Sequence, residues 1–193
     1  MKTPQQWKSK KWWSHLSEGD RMSHFLGSVK GRPLRESRDV SHDLEDFVDD
    51  YEEGSSLILS GRAGSGKTTN AIRVVEDLIT KHGRSARMIT ADAYIDMIKN
   101  SFEEDGDGIL SDEYNDPYAL KHIRASYDVL LLDDLEGTRR TEFAAHEIGT
   151  LIRSRYDAML TTVITTSLSV TDIKARFGDR LSSPLASFEL ETL

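Results

Sequence analysis

Gly61-Arg62-Ala63-Gly64-Ser65-Gly66-Lys67-Thr68 decides the reading of this chain. It has the spacing G-x-x-x-x-G-K-[ST], and it stands between a short apolar run at 57–59 and a segment of helical periodicity at 68–82. That strand–loop–helix context separates a phosphate-binding loop from an ordinary glycine-rich turn. The glycines let the backbone curl so that successive N–H groups point at one anion, and the helix adds the positive end of its dipole. In such a loop Gly61, Arg62, Ala63, Gly64, Ser65, Gly66, Lys67, Thr68 and Thr69 would line the phosphates of ATP. Lys67 would reach the β- and γ-phosphates, and the Thr68 hydroxyl would enter the shell of Mg²⁺.

Outward from this loop the chain alternates strand and helix. The helical stretch at 68–82 carries Ala71, Ile72, Val75, Leu78 and Ile79 on one face and stops at Gly83. A second strand is expected at 87–90 and a helix at 93–102. A loop follows at 105–108, and Asp116-Pro117 opens a helix to about residue 125. Strands are then expected at 129–132 and 160–165, an amphipathic helix at 141–155, a short helix at 171–177 and a last strand at 188–192. Strands alternating with helices imply a parallel sheet covered on both faces, here an α/β P-loop NTPase core with five strands.

A phosphate loop needs a carboxylate at the end of a neighbouring strand. The run Val129-Leu130-Leu131-Leu132-Asp133-Asp134 supplies two, about 65 residues after Lys67. Asp133 would hold Mg²⁺ directly or through water, and Asp134, on the other side of the strand end, would orient or activate the attacking water.

Composition removes several other classes. The 193 residues suit one domain, and 37% hydrophobic with 30% charged residues is globular rather than disordered. The absence of cysteine excludes a disulfide scaffold, thiolate-bound zinc and thiol catalysis, and fits a cytoplasmic protein. Apolar runs of about five residues are too short to span a bilayer, and no secretory signal pattern follows the first lysines. The net charge of −8 argues against indiscriminate coating of nucleic acid but leaves room for a local cationic groove.

The charge is unevenly placed. Residues 1–34 hold seven cations against two acids, together with Trp7, Trp12 and Trp13; residues 35–53 hold nine acids against Arg35 and Arg38. Within the acidic stretch Leu44, Phe47, Val48 and Tyr51 share one helical face, and Gly54 ends it. The expected division is therefore an N-terminal arm at 1–53, a candidate for partner binding, and an ATPase core at 54–193. Lysines interleaved with tryptophans suit stacking on single-stranded bases, anchoring on a partner protein, or folding back on the core, and all three stay open.

The residues around these motifs resemble the AAA+ ATPases of the DnaC/IstB-like type, the helicase loaders and transposition helpers. The resemblance spans roughly residues 54–190. It rests on 57–68, on 127–136, on Arg155-Tyr156 closing a helix, on 162–168 and on Arg176-Phe177-Gly178-Asp179-Arg180-Leu181-Ser182-Ser183. It implies a polar sensor at Ser167, with Thr166 just before it, where relatives usually carry asparagine. It implies an arginine finger at Arg180 acting in trans on ATP held by a neighbouring subunit. Pro184 stands where relatives often have a second arginine, and the chain ends at its fifth expected strand, leaving no segment for the small helical lid. The function so implied is ATP-driven loading of a replicative helicase, with self-association and single-stranded DNA as further partners. A transposition helper and a nucleotide-gated adaptor with little hydrolysis are the alternatives, and a small-molecule kinase is a weaker one.

Overall fold

The computed structural model describes residues 16–29, 42–101, 120 and 123–193. Helices α1 (Glu18–Ser28) and α2 (His42–Asp49) precede strand β1 (Leu57–Ser60). Then come α3 (Lys67–His82), β2 (Ala86–Thr90), α4 (Ala91–Asn100), β3 (Val129–Asp133), α5 (Glu142–Asp157) and β4 (Thr161–Thr166). Helices α6 (Val170–Phe177) and α7 (Ser182–Ser187) lead to β5 (Glu189–Thr192). The five strands form one sheet in the order β2-β3-β4-β1-β5, and every pairing is parallel. This is the P-loop NTPase architecture of AAA+ type.

The order matters for the site. Strand β4 lies between β1, which feeds the phosphate loop, and β3, which carries the acids. Three C-terminal strand ends therefore open side by side on one edge of the sheet, where ligands of open α/β sheets bind.

Alternation along each strand divides the core between two faces. Leu57, Leu59, Val129, Leu131 and Val163 pack with α1, α2 and α3. Ile58, Leu130, Leu132 and Ile164 pack with α4, α5 and α6. Burial on both faces explains why β1 and β3 read as apolar runs rather than as alternating ones.

Local chemistry sets the helix starts. Thr90 and Thr141 accept the N–H of Ala93 and Ala144 at the heads of α4 and α5, and Ser169 forms a reciprocal capping box with Asp172 at the head of α6. Gly83, in the left-handed region at φ 62°, closes α3.

Helices α1 and α2 are seated on the α3 face of the sheet. Phe25 and Val29 of the α1 segment and Leu44, Phe47 and Val48 of α2 are buried in the same cluster as α3. Ser28 Oγ accepts Met88 N at 3.0 Å, which satisfies an N–H on the edge strand β2. Lys81 pairs with Asp49, and Arg84 with Glu53, so part of the acidic stretch meets cations of the core.

The strand expectations hold to within a residue or two, and α3 to α6 form where helices were expected. Helices α1 and α7 were not foreseen. The loop at 105–108, Phe102 and the start of the helix at Asp116-Pro117 lie outside the described residues, as do Trp7, Trp12 and Trp13. Among the described residues, no helix is long and apolar enough to cross a membrane.

Candidate nucleotide site at the C-terminal edge of the sheet

The phosphate loop begins where β1 ends. Gly66, the residue before α3, takes φ 99°, a left-handed conformation that a side chain would strain, and it frees the helix N-terminus to face the loop. Gly61 N donates to Thr166 O at 3.2 Å, which fixes the loop's first residue to the end of β4. A side chain at Gly61 would also collide with the Leu193 carbonyl and Ser65 Oγ.

Lys67 Nζ donates to Gly61 O at 2.8 Å and to Arg62 O at 2.9 Å. The ammonium is thus folded across the loop with carbonyl partners that a phosphate oxygen can replace. Ser65 Oγ is buried and has no hydrogen-bond partner among the described residues. An orphaned buried hydroxyl at the head of a helix, in a loop with the phosphate-binding spacing, fits a phosphate ligand.

The metal-binding candidates meet across the sheet edge. Thr68 Oγ1, in the first turn of α3, donates to Asp133 Oδ1 at 2.7 Å. Asp133 is fully buried, and Thr165 Oγ1 donates to the same oxygen at 2.6 Å. A hydroxyl and a carboxylate are hard oxygen ligands, and Mg²⁺ usually takes one or two carboxylates and completes its shell with phosphates and water. The described residues contain no group of three or more His, Cys, Asp or Glu side chains that could hold a metal ion.

Asp134 leaves the strand with φ 55°, and its N–H donates to Thr165 Oγ1 at 2.9 Å. Its carboxylate folds over the 3-10 turn Leu135–Gly137, so close that a Cβ on Gly137 would sit 2.5 Å from Oδ2. Thr165 therefore holds both acids in register: it accepts from the backbone of one and donates to the side chain of the other.

Thr166 is the last residue of β4 and is fully buried, whereas Ser167 is the exposed first residue beyond it. Both serve Glu136, whose carboxylate accepts Thr166 Oγ1 at 2.8 Å and Ser167 N at 2.7 Å. Burial raises the Glu136 pKa, but hydrogen bonds from Ser167, from its own backbone and from Thr166 outweigh it and hold the carboxyl below its ordinary value.

Arg180 stands apart from this group. It lies in the 3-10 turn Asp179–Leu181, exposed, with its guanidinium 3.4 Å from His146 Nδ1 of α5. The chain thus brings Lys67, Thr68, Asp133, Asp134 and Ser167 to one sheet edge and leaves Arg180 on the surface. Arg155, at the end of α5, is a fully buried brace. It donates to Thr162 Oγ1 and to the carbonyls of Ile123, Tyr127, Asp128 and Thr161. Burial pushes its pKa down to about 9, which leaves it charged at neutral pH.

Sequence reasoning missed Thr165, Glu136, Gly137 and Arg176. The available signal was the pair Thr165-Thr166 at the point where the apolar run of β4 stops, since adjacent hydroxyls at a strand end reach opposite faces.

Comparison with known proteins gives one family match and three likenesses to solved structures. Residues 36–186 match the model of a family described as IstB-like ATP binding protein. The crystal structure of the DnaC helicase loader superposes with a TM-score of 0.68 at 24% identity, covering 83% of this chain and 95% of that one. The crystal structure of the DnaI gives 0.63 at 18% identity over 92% and 94% of the two chains. Domain III of the Thermotoga maritima replication initiation protein DnaA gives 0.62 at 20% identity over 79% and 60%. No curated protein matches the sequence.

Proposed function

This chain belongs to the family of IstB-like ATP-binding proteins, and we propose that it hydrolyses ATP to load a replicative helicase onto single-stranded DNA. The observation that carries the ATPase part is the Thr68–Asp133 contact at 2.7 Å, which joins the phosphate loop to the acid-bearing strand. Lys67 exchanges its two loop carbonyls for β- and γ-phosphate oxygens. Thr68 and Asp133 would hold Mg²⁺, which would supply positive charge to neutralise the phosphates. Asp134 orients the attacking water and takes up its proton as the bond between the γ-phosphorus and the bridging oxygen breaks, releasing ADP and phosphate. Ser167 contacts the γ-phosphate or the water. Arg180, exposed and with no carboxylate partner among the described residues, acts on the nucleotide of an adjoining copy, so that hydrolysis requires self-association.

Likeness to the DnaC helicase loader over nearly all of that chain supports the choice of client. The DNA part draws support from Arg139 and Arg140, both exposed and within four residues of Phe143 in the chain, which is 40% exposed. Arg140 also lines a cavity of about 600 Å³ together with Arg176, Leu168 and the acids Glu142 and Asp172. Guanidinium groups close in sequence to an exposed aromatic ring suit a single strand, whose phosphates and base faces need different partners. An oligomer gathers several such patches on one surface although each subunit is acidic overall.

A second reading, implied by the IstB-like resemblance of the motifs, is a transposition helper that binds DNA and regulates a transposase. Co-purification decides between the clients: retention of a hexameric replicative helicase in the presence of ATP supports loading, and retention of a transposase instead overturns it. For the DNA part, fluorescence anisotropy should report an ATP-dependent affinity for a labelled single strand, and no such affinity would remove that part.

A further inference from the structure

Glu136 sits one turn beyond the two strand-end acids and is tied into the site from both sides. Its Oε2 accepts Thr166 Oγ1 and its Oε1 accepts Ser167 N. The Thr166 hydroxyl also accepts Leu168 N at 3.0 Å. Thr166 O takes the first N–H of the phosphate loop, at Gly61. One residue thus has its backbone on the phosphate loop and its side chain on Glu136. The turn carrying Glu136 is pinned in turn from α6. Arg176 donates to Glu136 O at 3.2 Å, to Thr138 O at 2.5 Å and to Thr138 Oγ1 at 2.8 Å. The guanidinium is spent on two carbonyls and a hydroxyl of the turn, and the Glu136 carboxylate is left for the corner at the end of β4.

We propose that Glu136, held by Arg176, is a positioning residue that fixes the Thr166–Ser167 corner beside the phosphate loop, so that the corner reads whether the bound nucleotide has a γ-phosphate. The proposal rests on nucleotide binding at Lys67 as given above. The chemistry asks for a carboxylate because the corner offers two donors about one strand-end apart, and a carboxylate accepts both with separate oxygens. Without it, both donors turn to water and the corner is free to drift relative to Gly61. A brace that only stabilises the fold would weaken every nucleotide equally. A positioning residue weakens selectively, because only a ligand with a γ-phosphate meets the corner.

The test is binding of AMPPCP and of ADP to the full chain with Mg²⁺, measured by calorimetry for wild type, Glu136→Ala, Glu136→Gln and Lys67→Ala. Glu136→Ala should lower the ratio of AMPPCP to ADP affinity by about two- to tenfold, the worth of one misplaced hydrogen bond, with ADP affinity unchanged. Glu136→Gln keeps one acceptor oxygen and should recover part of the ratio; it is also the isosteric variant to use where Glu136→Ala does not fold. An unchanged ratio in folded variants would overturn the proposal. So would a ratio that rises in both variants, since Glu136 would then act only as a repelling charge. Lys67→Ala should weaken both ligands; if it weakens neither, nucleotide does not bind at this loop and the functional reading fails along with the proposal.

Discussion

Thr68 Oγ1 and Asp133 Oδ1 lie 2.7 Å apart although 65 residues separate them in the chain. The contact crosses from the first turn of α3 to the last residue of β3, passing the end of β4. It makes the spacing of the two motifs meaningful, because an oxygen pair of this kind binds a hard cation only when both strands end at the same height. Asp133→Asn keeps the size and loses the charge. Steady-state hydrolysis of ATP should fall by about a hundredfold or more, since even second-shell groups around metals are worth 10–100-fold. Magnesium titration should show the loss as a weakened dependence on the ion. Wild-type turnover in Asp133→Asn would remove the metal role.

Gly137 has no side chain where Asp134 needs room. A methyl group there would stand 2.5 Å from Asp134 Oδ2, and the carboxylate would have to turn away. Gly137→Ala should reduce kcat by about 10- to 100-fold, as expected when a reacting group is displaced by an ångström, while KM stays near wild type. A rise in KM with unchanged kcat would place Asp134 in binding rather than in the chemical step.

Arg155 has the largest fully buried side chain of the described residues, and its donors go to one hydroxyl and four carbonyls. Arg155→Met leaves those acceptors without a partner and should destabilise the fold by about 3–5 kcal/mol in urea unfolding. Arg155→Lys has only three N–H donors and should fall between the two. A wild-type midpoint for Arg155→Met would show that water replaces the guanidinium at no cost.

Glu136 makes stability depend on acid in a stated direction. Its folded pKa is lowered, so its contribution is present above the unfolded value of 4.5 and is lost as pH falls through the folded one. The stability difference between wild type and Glu136→Gln should be largest near neutral pH and should shrink as acid protonates the wild-type carboxyl. Urea midpoints of the two proteins across this range report it. A difference that grows in acid would mean that the hydrogen bonds favour the neutral form.

The phosphate loop, the acid pair and the order of the described strands and helices from β1 to α6 were legible because each follows from local spacing. Glycine geometry, period-2 alternation and helical faces are properties of neighbouring residues. The meeting of Glu136 with Thr166 and Ser167 was not legible, since it depends on β4 lying beside β3, a fact of sheet order. The seating of Phe25 against α3 was missed for a related reason. Helix α1 has a single fully buried aromatic side chain, too weak a periodic signal to call a helix, and its partner surface on α3 and β2 lies about 50 residues away. Arg176 was read as part of a family motif, and only the fold shows that it holds the turn at 136–138.

Hydrolysis by mixed variants tests the central claim most directly. Lys67→Ala has a defective phosphate loop and an intact Arg180, and Arg180→Ala has the reverse. Each alone should be inactive with helicase and single-stranded DNA present, and an equal mixture should recover roughly a quarter of wild-type activity, the share of interfaces that pair an intact loop with an intact arginine when copies assemble at random. Full activity of Arg180→Ala alone, or of Lys67→Ala alone, would contradict an ATP site completed between copies of this chain.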